Sequence, residues 1–189
     1  MHTEFEVRVL EVDTNEMIKK ISRLGGQKVA DYNYKRMVYD FVPAQENKWI
    51  RLRTDGMKTT LTIKNVLANE VDGTKELEIQ VSDFNETDKI LNELGYVSKS
   101  YQENRRKRYE LNGVEIDFDT WPYLPTYMEV EGKSEEDVYA ILETLDIRDD
   151  NVTADGVQDI YIKHYKIDIT KMKELNFGIP LDKKYMIDK

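Results

Sequence analysis

The sequence predicts an α+β fold in which an antiparallel β-sheet closes into a barrel and helices pack against its outer surface. Three observations support this prediction. Apolar and charged residues alternate with period two in most extended segments, short turns separate consecutive segments, and only a few amphipathic helical segments interrupt them. The turns are Asp55–Lys58, Val71–Lys75 and Asn112–Gly113, of which Asn-Gly is a strong hairpin signal. Hairpin order makes neighbouring strands antiparallel, and the helices need a sheet face to cover.

The elements follow one another from the N-terminus. The first strand contains the stretch EFEVR, in which Phe5 and Val7 alternate with charged residues. A first helix is predicted from an N-cap at Thr14 to Gly25–Gly26, where glycines end it. The later predicted strands are Gln27–Asp31, Tyr34–Val42, Trp49–Thr54, Thr59–Asn65, Lys75–Val81, Val97–Leu111, Val114–Trp121 and Tyr127–Glu131. The later predicted helices are Thr87–Leu94, one capped at Ser134, and Asp155–Tyr165.

The length of 189 residues is that of one domain, so we interpret residues 1–189 as a single unit. The motifs described below occupy residues 4–131, the C-terminal helices occupy 134–166, and residues 171–189 form a weakly patterned tail. These last residues carry no periodic signal that predicts an element.

Composition narrows the function classes. A net charge of −9 argues against a nucleic-acid partner, which needs a basic surface. The absence of cysteine excludes disulfides, thiolate catalysis and cysteine-ligated zinc. No apolar run has membrane-spanning length, and charges near the N-terminus argue against a signal peptide. We therefore expect a cytoplasmic protein without a membrane or nucleic-acid partner. The composition is compatible with a monomer and with a homodimer.

The charged residues of the strands are sorted by sign. A solvated strand face is expected to mix signs, because like neighbours destabilise a sheet and opposite neighbours stabilise it. A solvated face remains the alternative for any single strand, but consistent sorting favours a shared lumen in which acids hold cations and bases hold an anion. The acidic pairs are Glu4/Glu6, Glu76/Glu78, Asp117/Asp119 and Glu129/Glu131, and the basic pairs are Arg51/Arg53 and Arg106/Arg108.

The residue types predict which ligands such a lumen would hold. Carboxylates without cysteine, and with only His2 and His164 as histidines, suit hard ions such as Mg²⁺ or Mn²⁺. Paired arginines suit phosphate oxygens, which a guanidinium can contact with two donors. The sequence therefore predicts a complex of a divalent metal with a condensed phosphate.

Six short motifs in a fixed order resemble those of the CYTH superfamily, the triphosphate tunnel metalloenzymes. This superfamily includes class IV adenylyl cyclases, thiamine triphosphatases and inorganic triphosphatases. The motifs are EFEVR at 4–8 for the family's ExExK, RLR at 51–53, LTIK at 61–64, ELE at 76–78, RRKRY at 105–109, and EVE at 129–131 after Asp119.

The resemblance implies an eight-stranded antiparallel tunnel whose bases bind a triphosphate and whose acids bind Mg²⁺ or Mn²⁺. It implies Arg8, Lys64 and Asp119 as the residues at the reaction centre. The implied metal ligands are Glu4, Glu6 and Glu129, assisted by Glu131, Glu76, Glu78 and Asp119. The implied phosphate-binding residues are Arg8, Arg51, Arg53, Lys64, Arg106 and Arg108.

Two positions depart from the family pattern. Arg8 replaces the lysine that ends the first motif, and arginine stays protonated, so it cannot serve as a base. Asn104 replaces the first base of the family's KxR on the basic strand, and Arg108 on the same face is a candidate to compensate. We therefore expect phosphate binding with an atypical active site.

The resemblance leaves several functions open. The first is a metal-dependent hydrolase of tripolyphosphate, ATP or thiamine triphosphate. The second is a class IV-type adenylyl cyclase that converts ATP to cyclic AMP and pyrophosphate. The third is a non-catalytic polyphosphate or nucleotide sensor, which Arg8 would favour, and the fourth is a structural barrel with solvated charges.

Overall fold

The computed structural model describes residues 1–188, apart from the side chain of Asp149. The strands are β1 His2–Val9, β2 Gln27–Gln45, β3 Lys48–Thr54, β4 Thr59–Val66, β5 Thr74–Val81, β6 Ser100–Leu111, β7 Val114–Thr120, β8 Tyr127–Gly132, β9 Val152–Thr153 and β10 Glu174–Leu175. The helices are α1 Thr14–Arg23, α2 Phe84–Glu93, α3 Glu135–Thr144 and α4 Val157–Asp159, which continues as a π-helical turn over Ile160–His164. Short 3₁₀ turns lie at Asp149–Asn151, Ile169–Lys171 and Lys183–Tyr185.

The eight long strands form a closed antiparallel barrel, as predicted. Around the ring the order is β1, β5, β4, β3, β2, β6, β7 and β8, and β8 pairs with β1 to complete it. The predicted turn Asn112–Gly113 joins β6 to β7 with φ angles of 55° and 80°, which asparagine and glycine tolerate best. The predicted turn after β3 is stabilised by the Asp55 carboxylate, which accepts hydrogen bonds from the amides of Met57 and Lys58.

The apolar faces of the strands point outward, and helices cover most of them, although Leu77 and Ile79 of β5 are 48% and 57% exposed. On one side α1 and α3 bury Val7, Ile116 and Val130 of β1, β7 and β8 against Ile21 and Ile141. On another side α2 packs Leu91 against Tyr39 and Leu52 of β2 and β3. Burying each such side chain stabilises the fold by about 1.5–3 kcal/mol. The charged lumen that the sorting of charges predicts is therefore confirmed: the barrel keeps its apolar face outside and its charged face inside.

Several boundaries differ from the predictions. The N-cap of α1 is Asp13, whose carboxylate accepts from the amides of Asn15 and Glu16, and Thr14 is the first helical residue. Helix α2 begins at Phe84, because Asp83 caps it one turn before the predicted start. Strand β6 begins at Ser100 instead of Val97.

One continuous strand, β2, replaces two predicted ones. Asp31 and Asn33 look like a break in the sequence, but they pair in register with Lys107 and Arg105 of β6. The long pairing with β6 supplies the backbone hydrogen bonds that outweigh the low strand propensity of these residues. The length of β2 carries its inward side chains from one end of the barrel to the other.

The C-terminal residues pack as a third cluster across one end of the barrel. Ile160, Tyr161 and Leu175 are fully buried there against Trp121 and Tyr127. Strand β10 pairs in parallel with β6 at Tyr101 and Gln102, beyond the stretch that β7 covers. The tail that lacks a sequence pattern therefore forms part of the wall at this end.

Candidate functional site in the barrel lumen

The lumen is a cavity of about 670 Å³. Its wall carries both signs of charge, because acidic and basic side chains of the strands point inward, with a few apolar ones such as Val38 and Val66. All the residues predicted for the site line it, namely Glu4, Glu6, Arg8, Arg51, Arg53, Lys64, Glu76, Glu78, Arg106, Arg108, Asp119, Glu129 and Glu131. The structure brings these residues into one cavity, whereas their individual roles remain predictions.

Arg8 joins two strands of the acidic wall. The register of β1 and β8 sets Arg8 opposite Glu129, and its Nη2 lies 2.8 Å from both Glu6 Oε1 and Glu129 Oε2. Its Nη1 donates to the backbone carbonyl of Asp155 at 3.2 Å. Burial opposes the charge of Arg8, but Glu6 and Glu129 outweigh it and hold its pKa well above the usual value. Arg8 is therefore a fixed cation.

Three carboxylates meet beside Arg8. One oxygen from each of Glu6, Glu129 and Glu131 lies within 4.8 Å of the others. Burial, followed by the negative charges of Glu6, Glu129 and Glu115, raises the pKa of Glu131 to about 7. A cluster of oxygen donors that resists full ionisation is stabilised by a hard divalent cation, so these residues fit the Mg²⁺ or Mn²⁺ that the family pattern implies.

Glu4 lies apart from this cluster, although the resemblance groups it with Glu6 and Glu129. Strand β1 changes partner between the two residues: Glu4 pairs with Thr74 of β5, whereas Glu6 pairs with Glu131 of β8. Lys64 Nζ is 3.0 Å from Glu4 Oε2 and 3.3 Å from Glu76 Oε1. Burial raises the pKa of Glu4. Burial also acts on Glu76, but the positive charges of Lys64 and Arg51 outweigh it and lower the pKa of Glu76. Lys64 thus bridges two acids of unequal proton affinity.

The basic pair of β3 faces the acids of β5. Arg51 Nη2 lies 2.8 Å from Glu76 Oε1 and 3.4 Å from Glu78 Oε2, and Arg53 Nη2 lies 3.7 Å from Glu78 Oε2. The Arg53 guanidinium also lies 4.6 Å from the ring centre of Tyr34. Burial, and then the charge of Arg51, lowers the pKa of Arg53 to about 10. Arg53 is therefore less fully compensated by the acids of β5 than Arg51 is.

The basic pair of β6 is held by the acids of β7. Arg106 contacts Asp117 at 2.5 Å, Asp119 at 2.6 Å and Glu129 at 2.7 Å. Arg108 contacts Asp117 at 2.6 Å and also pairs with Glu115. Burial disfavours the Arg106 charge, but Asp119 and Glu129 outweigh it and raise its pKa. These two arginines are balanced by several acids.

The sequence reasoning missed Arg36. This residue lies on β2, lines the lumen, donates to Asn104 Oδ1, and places its guanidinium 4.5 Å from the ring centre of Trp121. On its own face of β2 it stands between Tyr34 and Val38, so it gives no like-charged pair at a spacing of two residues, and the adjacent Lys35 belongs to the other face. Its alternation with Tyr34 and Val38 along β2 is the signal that places it inside.

The C-terminal segment also lines the cavity, although the sequence assigned it no chemistry. Val157 and Asp159 of α4 form part of the rim, together with Ile169. The Asp155 carboxylate accepts from Lys163 at 2.6 Å and from the Asn69 amide at 3.2 Å. These bonds join the segment to the loop between β4 and β5. Within residues 1–188, no helix combines the length and the apolar character that crossing a membrane requires.

A comparison with protein families identifies the family to which this barrel belongs. A family model described as the CYTH domain matches residues 2–155. The chain belongs to the CYTH family. This confirms the resemblance that the order of the motifs predicts, and it leaves the C-terminal residues outside the matched region. No curated protein matches the chain.

Solved structures share the CYTH fold at low sequence identity. The PH1012 protein from Pyrococcus horikoshii is 20% identical with a TM-score of 0.71, over 81% of this chain and 96% of that one. A putative adenylate cyclase from Vibrio parahaemolyticus is 12% identical with a TM-score of 0.72, over 84% and 97%. The putative adenylyl cyclase HpAC1 from Hippeastrum, described as having a dominant triphosphatase activity, is 15% identical with a TM-score of 0.58, over 87% and 96%. These likenesses establish a common fold.

Proposed function

We propose that the protein is a divalent-metal-dependent phosphohydrolase that acts on a triphosphate-containing substrate inside the barrel. The observation that carries this proposal is the placement of a carboxylate cluster and several buried bases in one cavity. A triphosphate with a bound cation has the complementary charges, since its phosphate oxygens suit the bases and its cation suits the acids.

Mg²⁺ or Mn²⁺ would be held by Glu6, Glu129 and Glu131. Metal binding would be assisted by further acids that fix the bases around the site, namely Glu4, Glu76, Glu78 and Asp119. The bound ion would neutralise charge on the phosphate oxygens and orient the reacting groups. Arg8 fixes two of the three ligands, because its Nη2 contacts both Glu6 and Glu129 at 2.8 Å. It is thus a positioning group for the cluster as well as a cation facing the substrate.

Phosphoryl transfer depends mostly on positioning and on charge stabilisation. Arg51, Arg53, Lys64, Arg106 and Arg108 would bind the nonbridging oxygens, which replace part of the carboxylate contacts that these bases make within the lumen. Lys64, with Arg8, would stabilise charge at the reacting phosphorus. Arg8 stays protonated, so the proton of an attacking water would pass to a carboxylate of the lumen.

Adenylyl cyclisation is the second candidate. The cavity volume lies in the range of sites for small organic ligands, and Trp49 and Trp121 line it, so there is room for a nucleoside. In this reaction the 3′-hydroxyl of ATP attacks the α-phosphorus and pyrophosphate leaves. We rank hydrolysis first, because HpAC1, which shares the fold, is described as having a dominant triphosphatase activity.

Phosphorus NMR of reactions with tripolyphosphate or ATP, each with Mg²⁺ or Mn²⁺, tests the proposal. Orthophosphate release by the purified protein supports hydrolysis. Pyrophosphate together with a cyclic nucleotide would favour the cyclase instead. Binding without turnover would favour a sensor, and the absence of both binding and turnover would reject every triphosphate function.

A further inference from the structure

Arg36 differs from the other bases of the lumen in its charge balance. Each of the six predicted phosphate-binding residues has a carboxylate oxygen within 3.7 Å. Among the residues that the structure describes, Arg36 has no such partner, and its one side-chain acceptor is the neutral Oδ1 of Asn104. Asp119 is the acid that most supports its charge, but Arg106 occupies both oxygens of that carboxylate.

The neighbours of Arg36 increase this imbalance. Arg36 pairs in register with Arg53 across β2 and β3, and Arg51 and Arg106 also repel its charge. Only 9% of Arg36 is exposed. Burial and then Arg51 and Arg53 lower its pKa well below the usual value. A buried cation without a counterion destabilises a fold, and like charges on opposing strand positions add to the cost.

The Arg36 guanidinium is nevertheless held in a fixed orientation. One face stacks on Trp121, and one terminal nitrogen donates to Asn104. Its buried Nε has no hydrogen-bond partner within the described part of the chain. A flat guanidinium held by stacking, with donors left over, is preorganised for an anion with several oxygens.

We propose that Arg36 is a further anion-binding residue of the lumen, which contacts phosphate oxygens of the substrate together with Arg51 and Arg53. Arg36 supplies from β2 the base that β6 lacks at Asn104, and Asn104 positions it. This inference rests on the proposed function, because it assigns an additional contact to the same triphosphate. It accounts for a neutral residue at 104, since a base there would place another cation beside Arg36.

The test measures binding of inorganic tripolyphosphate to the metal-free, full-length protein by isothermal titration calorimetry. The variants are Arg36→Gln and Arg36→Lys, and the control is Arg105→Gln on the same strand pair, whose side chain points outward over Phe177. We expect Arg36→Gln to weaken binding about 30-fold or more, because one buried charge partner of the anion is lost. Arg36→Lys should weaken it less, and the control should bind as the wild type does.

Thermal unfolding without ligand separates this role from a structural one. Arg36→Gln should raise the melting temperature of the free protein, because it removes an uncompensated buried charge, and should reduce the rise that tripolyphosphate produces. A residue that only supports the fold would give the opposite result: a lower melting temperature with unchanged affinity.

The results that would overturn the role of Arg36 differ from those that would overturn the proposed function. Tight binding by the wild type and equally tight binding by Arg36→Gln would overturn the inference about Arg36 and leave the proposed function standing. An Arg36→Gln variant that fails to fold would also overturn it, since greater stability is expected. If the wild type binds no tripolyphosphate, with or without Mn²⁺, the proposed function fails and the role of Arg36 fails with it.

Discussion

The lumen wall formed by β1, β6, β7 and β8 differs from the wall formed by β2 and β3 in how its charges are balanced. On the first wall, Arg8 and Arg106 each lie between two or more carboxylates at 2.5–2.8 Å. On the second, Arg53 has one carboxylate at 3.7 Å, and the one side-chain acceptor of Arg36 is the neutral amide oxygen of Asn104. Under the proposed function, the first wall would hold the cation, and the second wall would leave positive charge available for an anion.

The largest expected effect comes from breaking the balanced wall at Glu129. Glu129→Gln removes one carboxylate of the cluster and a counterion of both Arg8 and Arg106. We expect metal-dependent turnover to fall by at least about 100-fold. Steady-state phosphate release checks this, with Glu93→Gln on the outer helix α2 as the control. Turnover within a few-fold of wild type would contradict the metal assignment.

The second effect concerns pH and Glu131, whose pKa is raised to about 7 by burial and then by neighbouring acids. In the unfolded chain this group ionises near pH 4.5. Between these values the folded state binds more protons, so stability falls as the pH rises from about 4.5 to 7. We expect Glu131 to contribute a loss on the order of 3 kcal/mol over this window in the metal-free protein.

Thermal unfolding at several pH values measures this slope. Glu131→Gln should flatten it, and Mn²⁺ should stabilise the wild type most at the alkaline end, where the cluster is ionised. An identical slope in the variant would show that another group carries the pH dependence.

A third prediction compares Arg51 with Arg36. Arg51→Gln should weaken tripolyphosphate binding about 30-fold, as expected for Arg36→Gln. It should also lower the stability of the free protein, because Glu76 and Glu78 lose a cation at 2.8 Å and 3.4 Å. Calorimetry and thermal unfolding on the same samples give both quantities. Equal shifts in melting temperature for the two variants would remove the distinction between balanced and unbalanced bases.

The smallest effect is expected on stability, from a substitution in the C-terminal segment at the rim of the lumen. Asp155→Asn weakens the contacts with Lys163 and His164, which lie at 2.6 Å and 3.2 Å and are partly exposed. We expect a loss of about 1 kcal/mol in unfolding free energy. Chemical denaturation measures it, with Glu86→Gln, whose pair with Lys89 is exposed on both sides, as the control. A loss well above this value would mean that the C-terminal segment is more firmly coupled to the barrel than its contacts indicate.

Local patterns in the sequence predict much of the fold. Alternation over EFEVR and over residues 114–120 identifies strands with one charged face, and Asn112–Gly113 fixes a hairpin. The sorting of charge by sign predicts a shared lumen, and the fold confirms it. These signals work because strand period and turn chemistry depend on neighbours in the chain.

Features that depend on register between distant segments are not visible in the sequence. The separation of Glu4 from Glu6 follows from a change of partner strand between them. The inward position of Arg36 depends on the unbroken pairing of β2 with β6 through Asp31 and Asn33. The role of Trp121 as a platform depends on packing that brings β2 and the chain after β7 together.

The hydrogen bond from Arg8 to the carbonyl of Asp155 has a consequence for how such tunnels diverge. It ties the guanidinium of the opening motif to a peptide group that comes after the last barrel strand. A substitution or a change of loop length near residue 155 would reorient Arg8, and with it Glu6 and Glu129, without altering any of the six motifs. Two chains with identical motifs can therefore differ in chemistry through a stretch of sequence that carries none of them.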